Sequence, residues 1–294
     1  MKKTYGDLSN KIKRIDHTIK YGIEREISKK HKEQMGQFFT PGNVIEMMLE
    51  ILEPRISDKI VDPSCGCGNM LLHAHNYLYS HYGRIGENTY GLEIDEKLIN
   101  ICGQFHKDLK LNSQIIRCNA LQFMDFDDSV DVVIGNPPFG RKLNSEFLIN
   151  KNILSPNYQL QGQQIPSGRI EILFLQKCIR MLKEGGKMGF ILPDGVLGNA
   201  ENMKVREWLL SQGKIIAVID LPLETFLPYT SVKTSVIFFQ KIKVHGDNYK
   251  IFMAIADSCG HDRRGYDVDD DDISCIPEEF RKWNKKNDNG WHAD

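Results

Sequence analysis

Ile60-Val-Asp-Pro-Ser-Cys-Gly-Cys-Gly-Asn69 runs from apolar residues through an acid and a proline into two closely spaced glycines, and then into the helix-forming stretch that begins at Met70. The pattern predicts a strand ending at Asp62, a tight turn and a helix. Gly66 and Gly68 let the backbone approach a ligand or take positive φ, and the first turn of the helix presents unpaired N–H groups. In an open α/β sheet the crevice beyond the strand ends is where nucleotide-like ligands sit. A plain structural turn would look the same, so the neighbouring strand matters.

That strand, Thr89 to Asp95, reads TYGLEID. It carries Glu93 at its end, where a carboxylate can accept hydrogen bonds from both hydroxyls of a ribose. The first turn is not the G-x-G-x-x-G of a dinucleotide fold, which argues against a nicotinamide-dependent oxidoreductase, and it lacks the Lys-Ser/Thr of a phosphate loop. A cofactor with a ribose and no phosphate fits best.

Outward from this pair, short β-branched runs alternate with longer amphipathic ones, the pattern of a doubly wound α/β sheet. Strands are expected at Lys59 to Asp62, Thr89 to Ile94, Gln114 to Arg117, Val130 to Gly135, Lys187 to Leu192, Ile215 to Ile219 and Val232 to Phe239. Helices are expected at Met70 to His81, Glu96 to Leu111, Arg169 to Lys183 and Ala200 to Ser211, with a further helical segment from Ser9 to Lys32. Three regions follow: an N-terminal helical segment (1–33), one α/β domain (34–256) and a polar, acidic C-terminal tail (257–294). The run Asp267 to Asp272 is expected as a solvated surface loop. Arg141 to Gly168, rich in Asn, Gln, Ser and Gly, is a connection long enough to be functional or mobile.

With 294 residues, 41% of them hydrophobic, the chain can bury one large core. No apolar stretch approaches the roughly 18 residues of a membrane span, and no export signal is evident. Seven cysteines without regular spacing suit a reducing compartment, so the expected location is the cytoplasm. Cys65 and Cys67, one residue apart with no second pair nearby, are poor zinc ligands, and no metal is expected. The formal charge of −1 lacks the basic excess of a protein that grips duplex DNA alone.

Directly after the apolar run Val130 to Gly135 comes Asn136-Pro137-Pro138-Phe139. Two prolines hold the Pro137 carbonyl rigidly beside the Asn136 side chain, giving two acceptors aimed at one point. An amine conjugated to an aromatic ring is a weak nucleophile. Accepting both of its hydrogens favours a localised lone pair, which makes the amine a better nucleophile. Phe139 supplies a flat apolar face on which a base turned out of a duplex can stack.

These motifs resemble class I methyltransferases, whose glycine turn and second-strand acid bind S-adenosylmethionine, and NPPF resembles the NPP[YF] motif of the amino-methyltransferases, where Asn goes with adenine. Cys67 stands where the family commonly has Thr, and Asn119 where it often has Asp. Gly36-Gln-Phe-Phe-Thr-Pro41 resembles the segment that covers the methionine part of the cofactor, and Pro41 would start a helix running into Glu50. Leu221 to Phe239, LPLETFLPYTSVKTSVIFF, resembles the loop that supplies a second aromatic against the flipped adenine; Phe226 is the first candidate and Tyr229 the second. Lys183 to Leu197 adds a stretch similar to the modification subunit of type I restriction-modification systems.

The resemblance implies a Rossmann-like, seven-stranded mixed sheet with helices on both faces, and a γ-class N6-adenine DNA methyltransferase. The implied catalytic residues are Asn136, Pro137, Pro138 and Phe139. The implied cofactor contacts are Gln37, Phe38, Phe39, Thr40 and Pro41 from the cover; Asp62, Ser64, Cys65, Gly66 and Gly68 from the turn; and Glu93, Ile94 and Asn119 beyond it. Double-stranded DNA is the implied substrate. Neutral charge and the lack of a separate domain for reading the major groove imply a DNA-specificity subunit as partner, and a nuclease subunit completes such systems. Amino-methyltransferases of RNA guanine or protein glutamine share NPPF, but GQFFTP and the Lys-Thr-Ser turn argue against them. An inactive cofactor-binding scaffold is the alternative from another class, against which stand the intact Asn136 and Phe139.

Overall fold

The computed structural model describes residues 8–19, 39–140, 159–160, 163–164, 169–243, 246, 249–287 and 291. Gln37, Phe38 and nearly all of the connection from Arg141 to Gly168 lie outside the described residues.

Strands β1 (Ile60–Asp62), β2 (Thr89–Glu93), β3 (Gln114–Arg117), β4 (Val130–Gly135), β5 (Leu182–Pro193), β6 (Gly213–Asp220), β7 (Thr234–Lys241) and β8 (Phe252–Ile255) form one sheet in the order β8-β6-β7-β5-β4-β1-β2-β3. All neighbours pair in parallel except β7, which runs antiparallel to both β5 and β6. The seven expected strands are present, and β8 is an eighth that extends the edge. Its four residues alternate between half-buried and exposed, with Met253 and Ile255 each 73% exposed, too short and too open a pattern to stand out in the sequence.

The helices are α1 (Leu8–Thr18), α2 (Gly42–Leu52), α3 (Asn69–Tyr82), α4 (Glu96–Leu109), α5 (Ile170–Met181), α6 (Asp194–Gly198), α7 (Met203–Gln212) and α8 (Ile276–Asn287). Central strands with both faces covered are almost uniformly apolar, as VDVVIG of β4 illustrates. Successive side chains then enter opposite layers. Ile60, Val132 and Ile134 join the core beneath α2 and α3, while Val61 and Val133 join the core beneath α5. Strand order reverses at β1 and β4, so their carboxyl ends open the topological crevice, and these ends carry Asp62 and Asn136.

The expectation of a polar tail after Asp257 needs correction. Strands β9 (Cys259–His261) and β10 (Asp267–Asp271) pair as a hairpin, and α8 packs Phe280 into the core beneath α2. Trp291, 1% exposed, donates its indole Nε1–H to the Ile51 carbonyl at 2.6 Å. The acidic run is exposed as expected, yet Asp271 accepts from Asn43 Nδ2 at 3.0 Å and Asp272 from the backbone N–H groups of Asp257 and Ser258. Carboxylates there tie the hairpin down rather than merely solvate it.

Candidate active site

The glycine turn takes the predicted form. Gly66 and Gly68 have φ of 54° and 86°, and a Cβ on Gly68 would lie 2.4 Å from Cys102 Sγ, so no larger residue fits. Asp62 Oδ1 accepts from Ser64 N at 3.0 Å, which closes the start of the turn. Glu93, 5% exposed, accepts from Gly66 N at 2.9 Å through Oε2, and from the N–H groups of Ile94 and Asp95 at 2.8 Å through Oε1. The acid at the end of β2 therefore staples the turn to the sheet.

Burial pushes the Asp62 carboxyl up to about 8, with the Glu93 charge adding to the shift, and burial raises Glu93 as well. Burial disfavours the charged form of both carboxyls, a penalty that a cationic ligand beside them would relieve. Ile94 projects 54% exposed just beyond Glu93. Asn119 spends one lone pair of Oδ1 on the N–H of Leu121, 3.1 Å away, which leaves a second for a ligand amine. Cys65 is buried, and its hydrogen bond to Cys102 together with burial holds its thiol well above the ordinary range, so it presents backbone rather than a thiolate.

The Asn136-Pro137-Pro138-Phe139 segment emerges beside this turn. Ser64 Oγ donates to the Asn136 backbone carbonyl at 3.2 Å, and Asn136 Nδ2 donates to Thr40 Oγ1 at 3.1 Å. Asn69 Nδ2, from the first position of α3, donates to the Thr40 carbonyl at 3.2 Å. Three segments distant in sequence thus meet at Asn136. Pro41 caps α2 as expected, and Phe39 packs half-buried against Ile19, Cys67 and Leu98. Phe139 and Phe226 are brought together, but edge to face and both buried, with 3% and 1% exposure.

A cleft of about 610 Å³ borders this cluster at Phe39, Thr40 and Asn69 and is lined further by Tyr229, Asp16 and His261, whereas Asp62, Glu93, Asn136 and Phe139 do not line it. Of the two candidate loop aromatics, Tyr229 lines it and Phe226 does not. The C-terminal hairpin forms one wall: His261 Nε2 lies 3.2 Å from the Thr225 carbonyl, and Asn43 Nδ2 donates to the Cys259 carbonyl at 3.1 Å. Helix α1 contributes another wall. There Asp16 meets His73 Nε2 at 3.0 Å, with Glu46 3.5 Å from the opposite ring nitrogen. Burial disfavours a charged His73, but its hydrogen bonds to Asp16 and Glu46 outweigh that and raise it to about 9. Sequence reasoning missed Asn69, this three-residue clamp and the hairpin wall. Only Asn69 carried a signal, at the start of the helix after the turn.

The family model for N-6 DNA methylases matches residues 21–294. The chain belongs to the N-6 DNA methylase family. Among its relatives are the methylase subunit of the type I restriction enzyme EcoEI of Escherichia coli, 30% identical over 218 residues, and that of HindI of Haemophilus influenzae, 22% identical over 275 residues. These alignments cover 70% and 92% of this chain but 42% and 60% of the relatives, so the chain spans about half the length of the curated proteins it matches. The type I restriction-modification methyltransferase subunit of Streptococcus thermophilus superposes with a TM-score of 0.66 at 26% identity, covering 83% of this chain and 53% of that one. Among the described residues, no helix of this family member is long and apolar enough to cross a membrane.

Proposed function

We propose that the chain transfers a methyl group from S-adenosylmethionine to the N6 amino group of adenine in double-stranded DNA, as the modification component of a restriction-modification system in the cytoplasm. The observation that carries this reading is the contact between Ser64 of the cofactor turn and Asn136 of NPPF at the adjacent ends of β1 and β4. It ties the proposed cofactor turn to the proposed acceptor pair.

S-adenosylmethionine, when bound, supplies an electrophilic methyl group. The Asn136 side-chain oxygen and the Pro137 carbonyl accept the two hydrogens of the adenine amine and localise its lone pair. Glu93, Asp62 and Ile94 hold the cofactor, and an aromatic ring steadies the flipped base. Alignment of the two reactants accounts for most of the rate gain. A DNA-specificity subunit chooses the site, and a nuclease subunit completes the system; the near-neutral charge of this chain and its kinship with type I methylase subunits support both partners.

The test is incubation of the purified chain, with and without the proteins encoded beside it, with radiolabelled S-adenosylmethionine and duplex DNA, followed by digestion to nucleosides. Label in 6-methyladenine is expected, and Asn136→Ala should remove it while cofactor binding persists. Cofactor binding with label only in RNA or protein, or in nothing, would overturn the proposal.

A further inference from the structure

The hairpin of β9 and β10 lies outside the main sheet, yet it is bonded to two segments that border the cleft. On one side Asn43, at the start of α2, donates from Nδ2 to the Cys259 carbonyl at 3.1 Å and to Asp271 Oδ1 at 3.0 Å. On the other, His261 Nε2 lies 3.2 Å from the Thr225 carbonyl, and Arg263 Nε donates to Glu224 Oε1 at 3.0 Å. Glu224 and Thr225 belong to the 3-10 turn Leu223–Phe226, which leads into Tyr229.

The neck of that loop is closed from within the sheet, by Leu221 N on the Thr234 carbonyl at 3.0 Å and by Lys233 Nζ on Asp220 Oδ2 at 2.8 Å. Beyond the neck, support comes from the hairpin. The Phe226 carbonyl accepts from the N–H groups of both Tyr229 and Thr230 at 3.0 Å, so a shift at Thr225 passes through one peptide into the turn that carries Tyr229.

The imidazole has a choice of carbonyls, because Nδ1 lies 3.1 Å from that of Asp262 and a neutral ring has one N–H. Donation to Asp262 ties the hairpin to itself, whereas donation to Thr225 ties it to the loop. Asp262 is half-buried and within reach of water, while Thr225 is 2% exposed. An unmet acceptor costs more at the buried position, so the proton belongs on Nε2.

We infer that His261 is a positioning residue whose Nε2–H fixes the Thr225 carbonyl, and with it the loop that presents Tyr229 to the target base. The inference rests on the reading of Tyr229 as the ring that steadies the flipped adenine. It makes the C-terminal hairpin part of base recognition, and through Asn43 it gives the base loop and the start of α2 a common anchor.

The test uses the full chain, together with the proteins encoded beside it where duplex binding needs them. His261→Ala removes the donor, His261→Gln returns an N–H near the place of Nε2, and His261→Asn returns one near that of Nδ1. Tyr229 ring signals, identified by their loss in Tyr229→Phe, should move in His261→Ala and His261→Asn and return in His261→Gln. On a duplex carrying 2-aminopurine at the target adenine, His261→Ala and His261→Asn should weaken the flipped-base complex about tenfold, the size of one buried hydrogen bond, while affinity for S-adenosylhomocysteine stays within about threefold. His261→Gln should restore the complex. If His261→Ala does not fold, the Gln and Asn variants carry the comparison by themselves. Gln and Asn failing alike, with cofactor affinity falling in step, would overturn the inference, as would native behaviour in His261→Asn. If the native chain methylates no adenine, the functional proposal fails, while Tyr229 signals that depend on His261 would still support the contact.

Discussion

The rings of Phe139 and Phe226 meet edge to face, with centroids 6.4 Å apart and planes inclined at 80°. This is a favourable arrangement for two aromatic side chains, and both are almost fully buried. A base stacked between two rings needs them parallel with room for a third plane, and this pair leaves none. Tyr229, three residues further along the same loop, is the candidate aromatic outside this packed pair, and it lines the cleft that borders Thr40.

Tyr229→Ala should therefore weaken DNA binding by about 1–3 kcal/mol, the usual size of one base–aromatic stack, with little change in melting temperature. Phe226→Ala should cost about 3–5 kcal/mol of folding stability, as expected for an emptied core site. Fluorescence of 2-aminopurine at the target position reads the first effect and thermal unfolding the second. Loss of base binding in the milder Phe226→Leu, with none in Tyr229→Ala, would reverse the two roles.

Asp62 is raised from 3.8 to about 8 by burial, so near pH 7 it is largely protonated before any ligand arrives. A cationic cofactor lowers that pKa and drives the proton off. Calorimetry of S-adenosylmethionine binding in buffers of different ionisation enthalpy should register release approaching one proton near pH 7. The release should fade above about pH 9, where Asp62 is already ionised. Asp62→Asn should abolish it; release that persists in the variant assigns the proton to another group.

The His73 clamp predicts a window in pH. His73 is raised from 6.5 to about 9, so its contribution is complete below 6.5 and is lost as pH climbs through about 9. Glu46 is lowered from 4.5, first by its hydrogen bond to His73, so its share is present above 4.5 and is lost as pH falls through the depressed value. His73→Gln should melt below the native protein between about pH 5 and 7, by about 2 kcal/mol after allowance for the half-exposed Glu46. The gap should close above about pH 9. A gap independent of pH would mean that His73 acts through packing alone.

Trp291 anchors the end of the described chain against α2 through the bond to Ile51 and a contact with the Lys187 ammonium, 4.6 Å from the ring centroid. Trp291→Ala should lower stability by about 3–5 kcal/mol, comparable to other large buried aromatics. Denaturant unfolding measures it, and a loss under about 1 kcal/mol would place the residue outside the cooperative core.

What was legible in the chain was what short-range physics encodes. The alternation in β4 sends Val132 and Val133 into opposite layers. The glycines at 66 and 68 demanded positive φ. The acid at 93, the Asn and prolines at 136–138 and the loop aromatics each stand at a strand end or turn, where periodicity points. Strand β8 was missed because four residues at a sheet edge leave little pattern. The hairpin wall was missed because the acidic run of β10 reads the same whether it is solvated or anchored by Asn43.

By itself the sequence determined seven of the eight strands of the sheet, their order along the chain and the identity of the groups at the crevice, since these depend on neighbours a few residues apart. Only the tertiary structure decided which of those groups meet. Thr40 and Asn136 are 96 positions apart, Asn43 and Cys259 are 216 apart, and Trp291 and Ile51 are 240 apart. Such pairings cost chain entropy that no local pattern records, and they appear when the layers pack and each buried polar group has to find a partner. For the same reason the chain advertised two aromatics on one loop, while the packing assigned Phe226 to the core and Tyr229 to the cleft.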